Sequence, residues 1–409
     1  MTGGRVRPVD LSLFAAVYAV QGVVFAYFVN YMPGYMTAAG VARETVGTVQ
    51  LIVMVPFVLK FLAGPVSDRF SLFGLGHRVP YIAGGLALQA AALAGLTRIS
   101  PASSLAVFTT TALLAVLGMA VYDTCCDGLV VDVTPPEDRS RVQGILVASR
   151  FLAATVCTLG FGYWLRSSGN GPKRGDGVLL LSATLTLLPL GLLLFRRGTK
   201  PSGEAEAFQW AAFLVLLRRR SLLLLAFGAL YSMAGYGVET NLEDYYKTAL
   251  GMNDWHVGRL GAVRNLGRAL GAALVPLLIA RVGRRAMLVA GTLALAASTA
   301  GQALASGLGS SAALGLFFGM TNGWNDAMFF ALAMEASDPR MAASTYALFM
   351  AASNVSIISG ALFSRAVAEL HGRYRPVLVL FSLLAIAAVP LADALGRPVD
   401  SKDDDAAAS

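Results

Sequence analysis

The sequence predicts an all-α membrane protein with twelve transmembrane helices, arranged as two pseudo-symmetric halves of six helices each. Of its 409 residues, 56% are hydrophobic and 14% are charged, whereas soluble domains carry about 25% charged residues. Apolar stretches long enough to cross a hydrocarbon core of about 30 Å recur twelve times along the chain. Residue patterns in the first six stretches reappear in the last six.

The twelve apolar stretches are joined by polar connections. The first stretch, which follows MTGGRVRPVD, is predicted to be a retained span, because no small-residue cleavage site follows a short apolar core. The expected spans cover residues 10–37, 45–67, 79–98, 104–131, 141–165, 177–195, 221–247, 256–280, 285–304, 311–335, 342–370 and 374–395.

Loop charges predict the orientation of these spans. Lys and Arg collect in every second loop, and loops of this kind are usually cytoplasmic, so both termini are expected on the cytoplasmic side. The same excess accounts for the formal charge of +8 without a nucleic-acid partner. We expect a monomer in the bilayer of a bacterial inner membrane.

A polar interruption divides the chain. The two halves are expected at 1–195 and 221–397, with a linker at 196–220 and a polar, disordered tail at 398–409. The second part of the linker, FQWAAFLVLLRRR, is predicted either as an amphipathic helix on the inner leaflet or as an early start of the seventh span.

The halves share internal similarity. YAVQG at 18–22 matches YSMAG at 231–235. Asp123 and Asp132 stand nine residues apart near the end of the fourth span, and Asp326 and Glu335 do so near the end of the tenth. A duplication that produced two parallel six-span repeats explains this pattern.

Two segments carry a family resemblance. GPVSDRF at 64–70, followed by GHR at 76–78, resembles the signature between spans two and three of the major facilitator superfamily, although five extra residues intervene and His77 stands where Arg is common. The segment from 123 to 139 resembles the muropeptide permease and acetyl-CoA transporter group, in which D-x-x-x-D precedes D-x-x-P-x-x-x-R. The matching residues are Asp123, Asp127, Asp132, Pro135 and Arg139.

The resemblance implies a secondary active transporter that works by alternating access, in a fold whose first, fourth, seventh and tenth spans line the cavity. It also implies that Asp68 joins Arg69, Arg78 and Asp132 in an ionic latch that holds the halves together in the outward-facing state. The alternative is a solvated surface cluster of weak pairs. The second half has Ala280 in place of the aspartate, which predicts a weaker latch there. The expected cytoplasmic gate comprises Asp68, Arg69, Arg78, Asp132, Arg139, Arg281, Arg285 and Glu335.

Ionisable residues within spans are costly and usually face a cavity or one another. Asp123 and Arg150 lie at matching depths, as do Glu239 and Arg264, so each pair is either a structural ion pair or part of a functional site. Asp123 and Asp127 share a helix face, and two close carboxylates cannot both ionise cheaply unless a cation compensates. The candidates for proton coupling are Asp123, Asp127, Glu239 and Asp326.

Polar and cationic side chains extend the candidate binding site. Guanidinium groups suit carboxylates and phosphates, so we expect a small anionic organic solute. The stretch GMTNGWND at 319–326 suits a ligand of sugar or planar character, although each amide is alternatively an interhelical hydrogen bond. The expected substrate-binding residues are Gln21, Tyr27, Asn30, Lys60, Asp123, Arg150, Glu239, Arg264, Arg268, Asn322, Asn325, Asp326 and Asn354.

Other function classes lack sequence support. The three cysteines form neither a disulfide framework nor a zinc spacing, and no metal or cofactor is expected. We find no nucleophile–base set and no phosphate-binding loop, so the sequence does not predict an enzyme or an ATP-driven pump. The competing interpretation is a non-transporting membrane assembly or delivery factor on the same fold. The direction of transport and the coupling ion stay open.

Overall fold

The structure, a computed structural model, describes residues 6–72, 77–167, 175–195, 210–354 and 356–397. In these ranges the chain forms α-helices and no strand. The first eight helices are α1 Pro8–Phe25, α2 Met32–Ala38, α3 Arg43–Val58, α4 Ala63–Arg69, α5 Val79–Leu96, α6 Leu105–Val133, α7 Arg139–Ser167 and α8 Gly175–Phe195. The others are α9 Arg219–Asp244, α10 Asp254–Val282, α11 Arg284–Gly301, α12 Leu308–Ala336, α13 Ala342–Ser353, α14 Ser356–Glu369 and α15 Tyr374–Gly396.

These helices account for the expected spans. Ten helical stretches of the described residues are long and apolar enough to cross a membrane. The 29-residue α12 and the pair α13 and α14 occupy the two expected spans that remain. The predicted all-α membrane fold is confirmed.

Several spans are interrupted, which the apolar pattern did not predict. A π-helical turn, Ala26–Tyr31, follows α1, and another, Tyr245–Ala249, follows α9. A 3₁₀ turn, Lys60–Leu62, separates α3 from α4 within one turn of Pro56, which lacks the N–H that an inner helical position needs. The eleventh span contains two helices rather than one. The first ends at Ser353 and the second begins at Ser356.

The chain folds as two compact units. The first contains Met1–Asp138, Ser149–Gln209 and Pro339–Ala347, and the second contains Arg139–Ala148, Trp210–Asp338 and Leu348–Ser409. A short segment from late in the chain, 339–347, therefore belongs to the first unit.

Glycines set the spacing of helices within each unit. In the first unit, Gly85 on α5 faces Gly118 on α6, and a Cβ on either would lie 2.6–2.7 Å from the other's carbonyl oxygen. In the second unit, a Cβ on Gly319 or Gly323 of α12 would overlap the backbone carbonyl of α10 at Arg264 or Arg268. Small residues allow this close approach of membrane helices, and here it places the arginine backbones against α12.

A short segment precedes the seventh span. Trp210–Leu217 forms a 3₁₀ helix, and the extended backbone of Arg218 separates it from α9. Leu214 and Leu217 are exposed. The rest of the expected linker, the expected tail and Gly76 lie outside the described residues.

Candidate functional site

A cluster of buried charges lies in the first unit, and its cation comes from an interrupted helix. The Lys60 ammonium lies 2.7 Å from Asp123 Oδ2 and 3.7 Å from Asp127 Oδ2, and all three residues are buried. Lys60 sits in the 3₁₀ turn after α3, where its carbonyl oxygen accepts a hydrogen bond from the Thr124 hydroxyl at 3.1 Å. The irregular turn and the charge pair are thus fixed to the same part of α6.

Helix α1 completes this cluster with neutral donors. The Tyr18 hydroxyl donates to Asp127 Oδ1 at 2.7 Å, and Gln21 Nε2 donates to Asp123 Oδ1 at 2.8 Å. The two donors lie three residues apart on α1 and the two carboxylates four residues apart on α6, so one face of each helix supplies the contacts. One ammonium group between two buried carboxylates leaves a surplus negative charge that a proton or a second cation can neutralise.

Arg150 is not the ion-pair partner of Asp123 that matching depth predicted. Its guanidinium lies 4.9 Å from the centre of the Phe25 ring and 5.3 Å from that of Phe151, and it forms no ion pair among the described residues. Depth along a helix leaves the direction of the side chain open, and Lys60 takes the pairing position. Arg150 remains a half-buried cation beside this cluster.

The second unit holds a different cluster, between α9 and α10. Glu239 forms an ion pair with Arg268 Nη2, and its Oε1 lies 3.7 Å from Arg264 Nε. The structure thus places Glu239 beside Arg264, the residue at matching depth in the membrane. The guanidinium of Arg268 lies closer to the Glu239 carboxylate than that of Arg264 does. The Arg268 guanidinium also lies 4.1 Å from the centre of the Tyr236 ring, a cation–π contact.

Two tyrosines hold the buried carboxylate of Asp326. Tyr236 donates to it at 2.7 Å and Tyr231 at 3.2 Å. Tyr231 begins the repeat YSMAG, as Tyr18 begins YAVQG. The repeated tyrosine therefore donates to a carboxylate in each unit, a role that we did not assign from the sequence although the repeat itself was visible.

The stretch GMTNGWND is used largely in helix packing. Asn325 Nδ2 donates to the carbonyl oxygens of Gly291 and Thr321, and Trp324 Nε1 donates to that of Met287. These contacts match the alternative of interhelical hydrogen bonds.

The other neutral residues expected in the binding site do not contact either charge cluster in the hydrogen bonds and ring contacts described for them. Asn322 Nδ2 donates to the carbonyl oxygen of Phe318 at 2.8 Å. Asn354 lies at the break between α13 and α14, and Tyr27 is buried and stacks on Tyr31. The side chain of Asn30 lies outside those described. In the described ranges, no group of three or more His, Cys, Asp or Glu side chains is arranged to hold a metal ion.

Comparison with known proteins identifies the family of this chain. The sequence profile of the Major Facilitator Superfamily matches residues 14–361. The chain belongs to the major facilitator superfamily. Among curated relatives, the anhydromuropeptide permease of Escherichia coli is 26% identical over 364 residues, which cover 86% of this chain and 73% of the permease.

Solved structures share the fold of this major facilitator protein. The fucose:proton symporter of Escherichia coli has a TM-score of 0.76 at 14% identity, covering 96% of this chain and 100% of the symporter. The human organic anion transporter MFSD10 has a TM-score of 0.73 at 16% identity, covering 94% of this chain and 100% of the other. A bacterial homologue of the iron transporter ferroportin, in an outward-facing state, has a TM-score of 0.68 at 16% identity, covering 94% and 98% of the two chains.

The superfamily signature forms a charge cluster around Arg78. Its guanidinium lies 2.5 Å from Asp68 and 3.1 Å from Asp132, and Nη1 donates to the Ser67 hydroxyl at 3.0 Å. Burial disfavours the charged form of Arg78, but Asp132 and Asp68 outweigh burial and raise its pKa. The guanidinium of Arg69, which was expected in the same cluster, lies 5.3 Å from the centre of the Phe70 ring.

Asp68 also binds the start of α13. Its carboxylate accepts hydrogen bonds from the backbone N–H groups of Ala343, at 3.3 Å, and Ser344, at 2.8 Å. It also accepts a hydrogen bond from the Ser344 hydroxyl. The first N–H groups of a helix have no partner within it, and a carboxylate there also meets the positive end of the helix dipole. The sequence did not reveal this contact, because Asp68 and Ser344 are 276 residues apart.

The expected gate of the second half needs one correction. Glu335 pairs with Arg284 at 2.7 Å, whereas Arg285, which we expected in the gate, pairs with Asp393 at 2.5 Å. The two arginines are neighbours at the start of α11, so a shift of one residue changes which side chain reaches Glu335. Of the other expected gate residues, Arg281 lies exposed in the last turn of α10 and Arg139 begins α7.

Proposed function

We propose that this chain is a secondary active transporter that moves a small organic anion together with protons by alternating access. The observation that carries the proposal is the single ammonium of Lys60 between the buried carboxylates of Asp123 and Asp127. Burying two carboxylates against one cation is costly, so binding and release of one proton changes the energy of this cluster. Membership of a transporter superfamily supports the same reading.

Cationic side chains support an anionic solute. Arg150 is a half-buried guanidinium without an ion pair among the described residues, and guanidinium groups bind carboxylates in bidentate geometry. The relative named anhydromuropeptide permease suggests a candidate solute class, since muropeptides combine an amino sugar with peptide carboxylates. We therefore propose amino-sugar acids and muropeptides as the first solutes to test.

Transport by the purified protein in proteoliposomes tests proton coupling. Labelled anhydromuropeptide is expected to accumulate above equilibrium when the outer solution is more acidic. Asp127→Asn is expected to lose this accumulation while retaining exchange of labelled for unlabelled solute, because the solute site stays intact. Asp244→Asn, at the exposed end of α9, is the matched control and should behave like the parent. If accumulation of the solute by the parent protein does not depend on the pH gradient, the proposed proton coupling is wrong.

A second variant tests the role of Arg150. Arg150→Gln should raise KM for the anionic solute by about tenfold or more, the effect of losing one charged hydrogen bond. Arg98→Gln removes an exposed arginine and should leave KM unchanged. If no solute crosses the membrane in any variant or in the parent, the competing function of a non-transporting assembly or delivery factor is favoured.

A further inference from the structure

Arg264 is a buried guanidinium with unused donors. It lies in the middle of α10 and is 3% exposed. Its Nε and Nη1 have no hydrogen-bond acceptor among the described residues. The nearest carboxylate oxygen, Glu239 Oε1, is 3.7 Å from Nε, beyond hydrogen-bond distance. The Tyr246 hydroxyl accepts a hydrogen bond from this guanidinium. Burying the Nε and Nη1 donors without acceptors is still costly, so this position favours an additional acceptor.

The groups around Arg264 are engaged with one another. From α9, Glu239 pairs with Arg268, and Tyr236 donates to Asp326 of α12. From the π-helical turn, the ring centre of Tyr246 lies 5.9 Å from the Arg264 guanidinium, and its hydroxyl donates to Gln302 at 3.0 Å.

Glu239 is the more accessible partner of this cluster. Its side chain is 18% exposed, against 4% for each arginine. Its carboxylate lies between the two guanidinium groups, which stand one helical turn apart on α10. An anion that arrives from the exposed side therefore meets the position that the glutamate carboxylate holds.

We propose that Arg264 binds a carboxylate of the transported solute and that Glu239 occupies this anion site when no solute is present. The site is distinct from the Lys60 cluster of the first unit. The identity of the solute rests on the proposed function, whereas the anion site requires only that a carboxylate from outside the protein binds there.

Binding of two matched sugars tests the solute side of the proposal. N-acetylmuramic acid and N-acetylglucosamine share the amino sugar, and only the first carries a carboxylate. Glu239→Gln should tighten binding of N-acetylmuramic acid by about tenfold, because the internal competitor loses its charge, and Arg264→Gln should weaken it by about tenfold or more. Binding of N-acetylglucosamine should change in neither variant, and Arg259→Gln, an exposed arginine on the same helix, is the control.

Chemical rescue tests the anion site without relying on the solute. Glu239→Ala leaves Arg264 and Arg268 without their shared carboxylate, so acetate should raise the thermal unfolding temperature of this variant more than chloride does at equal ionic strength. The parent and the double variant Glu239→Ala, Arg264→Gln should show no acetate-specific increase.

The two experiments distinguish an error in the proposed solute class from an error in the proposed anion site. If the parent does not bind N-acetylmuramic acid but acetate rescues Glu239→Ala, the proposed solute class is wrong and the anion site stands. If acetate gives no specific increase, or if Glu239→Gln does not tighten binding of a sugar acid that the parent binds, the anion site is overturned. A merely structural ion pair predicts these last results.

Discussion

Lys60 determines the charge balance of the first unit. Its ammonium is the cation that directly contacts Asp123 and Asp127, while Tyr18 and Gln21 add neutral hydrogen bonds. Neutral donors stabilise a carboxylate but do not cancel its charge. Removing the lysine therefore leaves two buried carboxylates whose nearest remaining cation, Arg150, points to aromatic rings.

Lys60→Met is expected to destabilise the protein by about 3–5 kcal/mol, the usual cost of removing one partner of a buried ion pair. Adding Asp123→Asn to this variant should restore part of the loss, because it removes the carboxylate closer to the lysine and leaves Asp127 as the one unpaired charge of the cluster. Thermal unfolding in detergent of the parent, both single variants and the double variant measures the coupling. Additive losses would mean that the two side chains do not interact energetically.

The site residues were only partly predictable from the sequence. Lys60, Asp123 and Asp127 were identifiable because charges within apolar spans are rare. Their pairing was not, since the partner of Asp123 depends on how the turn between α3 and α4, helix α6 and helix α7 face one another. Tyr18 and Tyr231 carried a signal in the repeat, but a tyrosine within a span is common and its hydroxyl partner is set by tertiary packing.

At the scale of helices, close glycine contacts hold α10 against α12. Gly267 and Gly271 of α10 face the backbone of α12 near Leu316 and Met320, and glycines of α12 face α10 in return. Glycines of each helix thus pack against the backbone of the other. The position of Arg264, and with it the proposed anion site, depends on this contact.

Gly323→Ala is expected to destabilise the second unit by about 1–3 kcal/mol, since the added methyl overlaps the Arg268 carbonyl and forces the helices apart. Gly258→Ala on α10 is the control, because no atom lies within 4 Å of its added Cβ. Alanine is the better helix former, so the control should be neutral or slightly stabilised. Equal unfolding temperatures for the two variants would show that the helices do not approach as closely as described.

Interruptions of the spans mark the limit of reading helices from apolar patterns. Hydropathy indicates where a chain can cross a membrane but not whether its hydrogen bonds are α, π or 3₁₀. Pro56 was a visible warning of the break before Lys60. The π-helical turn at Ala26–Tyr31 also has a proline nearby, because Pro33 follows two residues after it and lacks the N–H that an inner helical position needs.

For the molecule as a whole, loop charges predict the orientation. Green fluorescent protein fused after the last residue should fluoresce, because it folds in the cytoplasm, and alkaline phosphatase fused there should be inactive. Alkaline phosphatase fused after Ser103, between α5 and α6, should be active. The opposite pattern at both positions would reverse the predicted topology.

The whole fold was more predictable than its site. Apolar stretches and an internal repeat are properties of one chain read in order, and they were sufficient for the twelve-span prediction. Contacts such as that of Asp68 with Ser344 join residues 276 positions apart, for which neither periodicity nor spacing gives a signal.

The membership of residues 339–347 in the first unit has a consequence for biosynthesis. Asp68 is among the early residues to leave the ribosome, but the helix start that it binds is translated only near the end of the chain. Membrane insertion of the early spans therefore precedes completion of their own unit. A nascent chain released before residue 339 would keep the ion pair of Asp68 with Arg78 but would lack the amide groups that the same carboxylate binds in the complete unit.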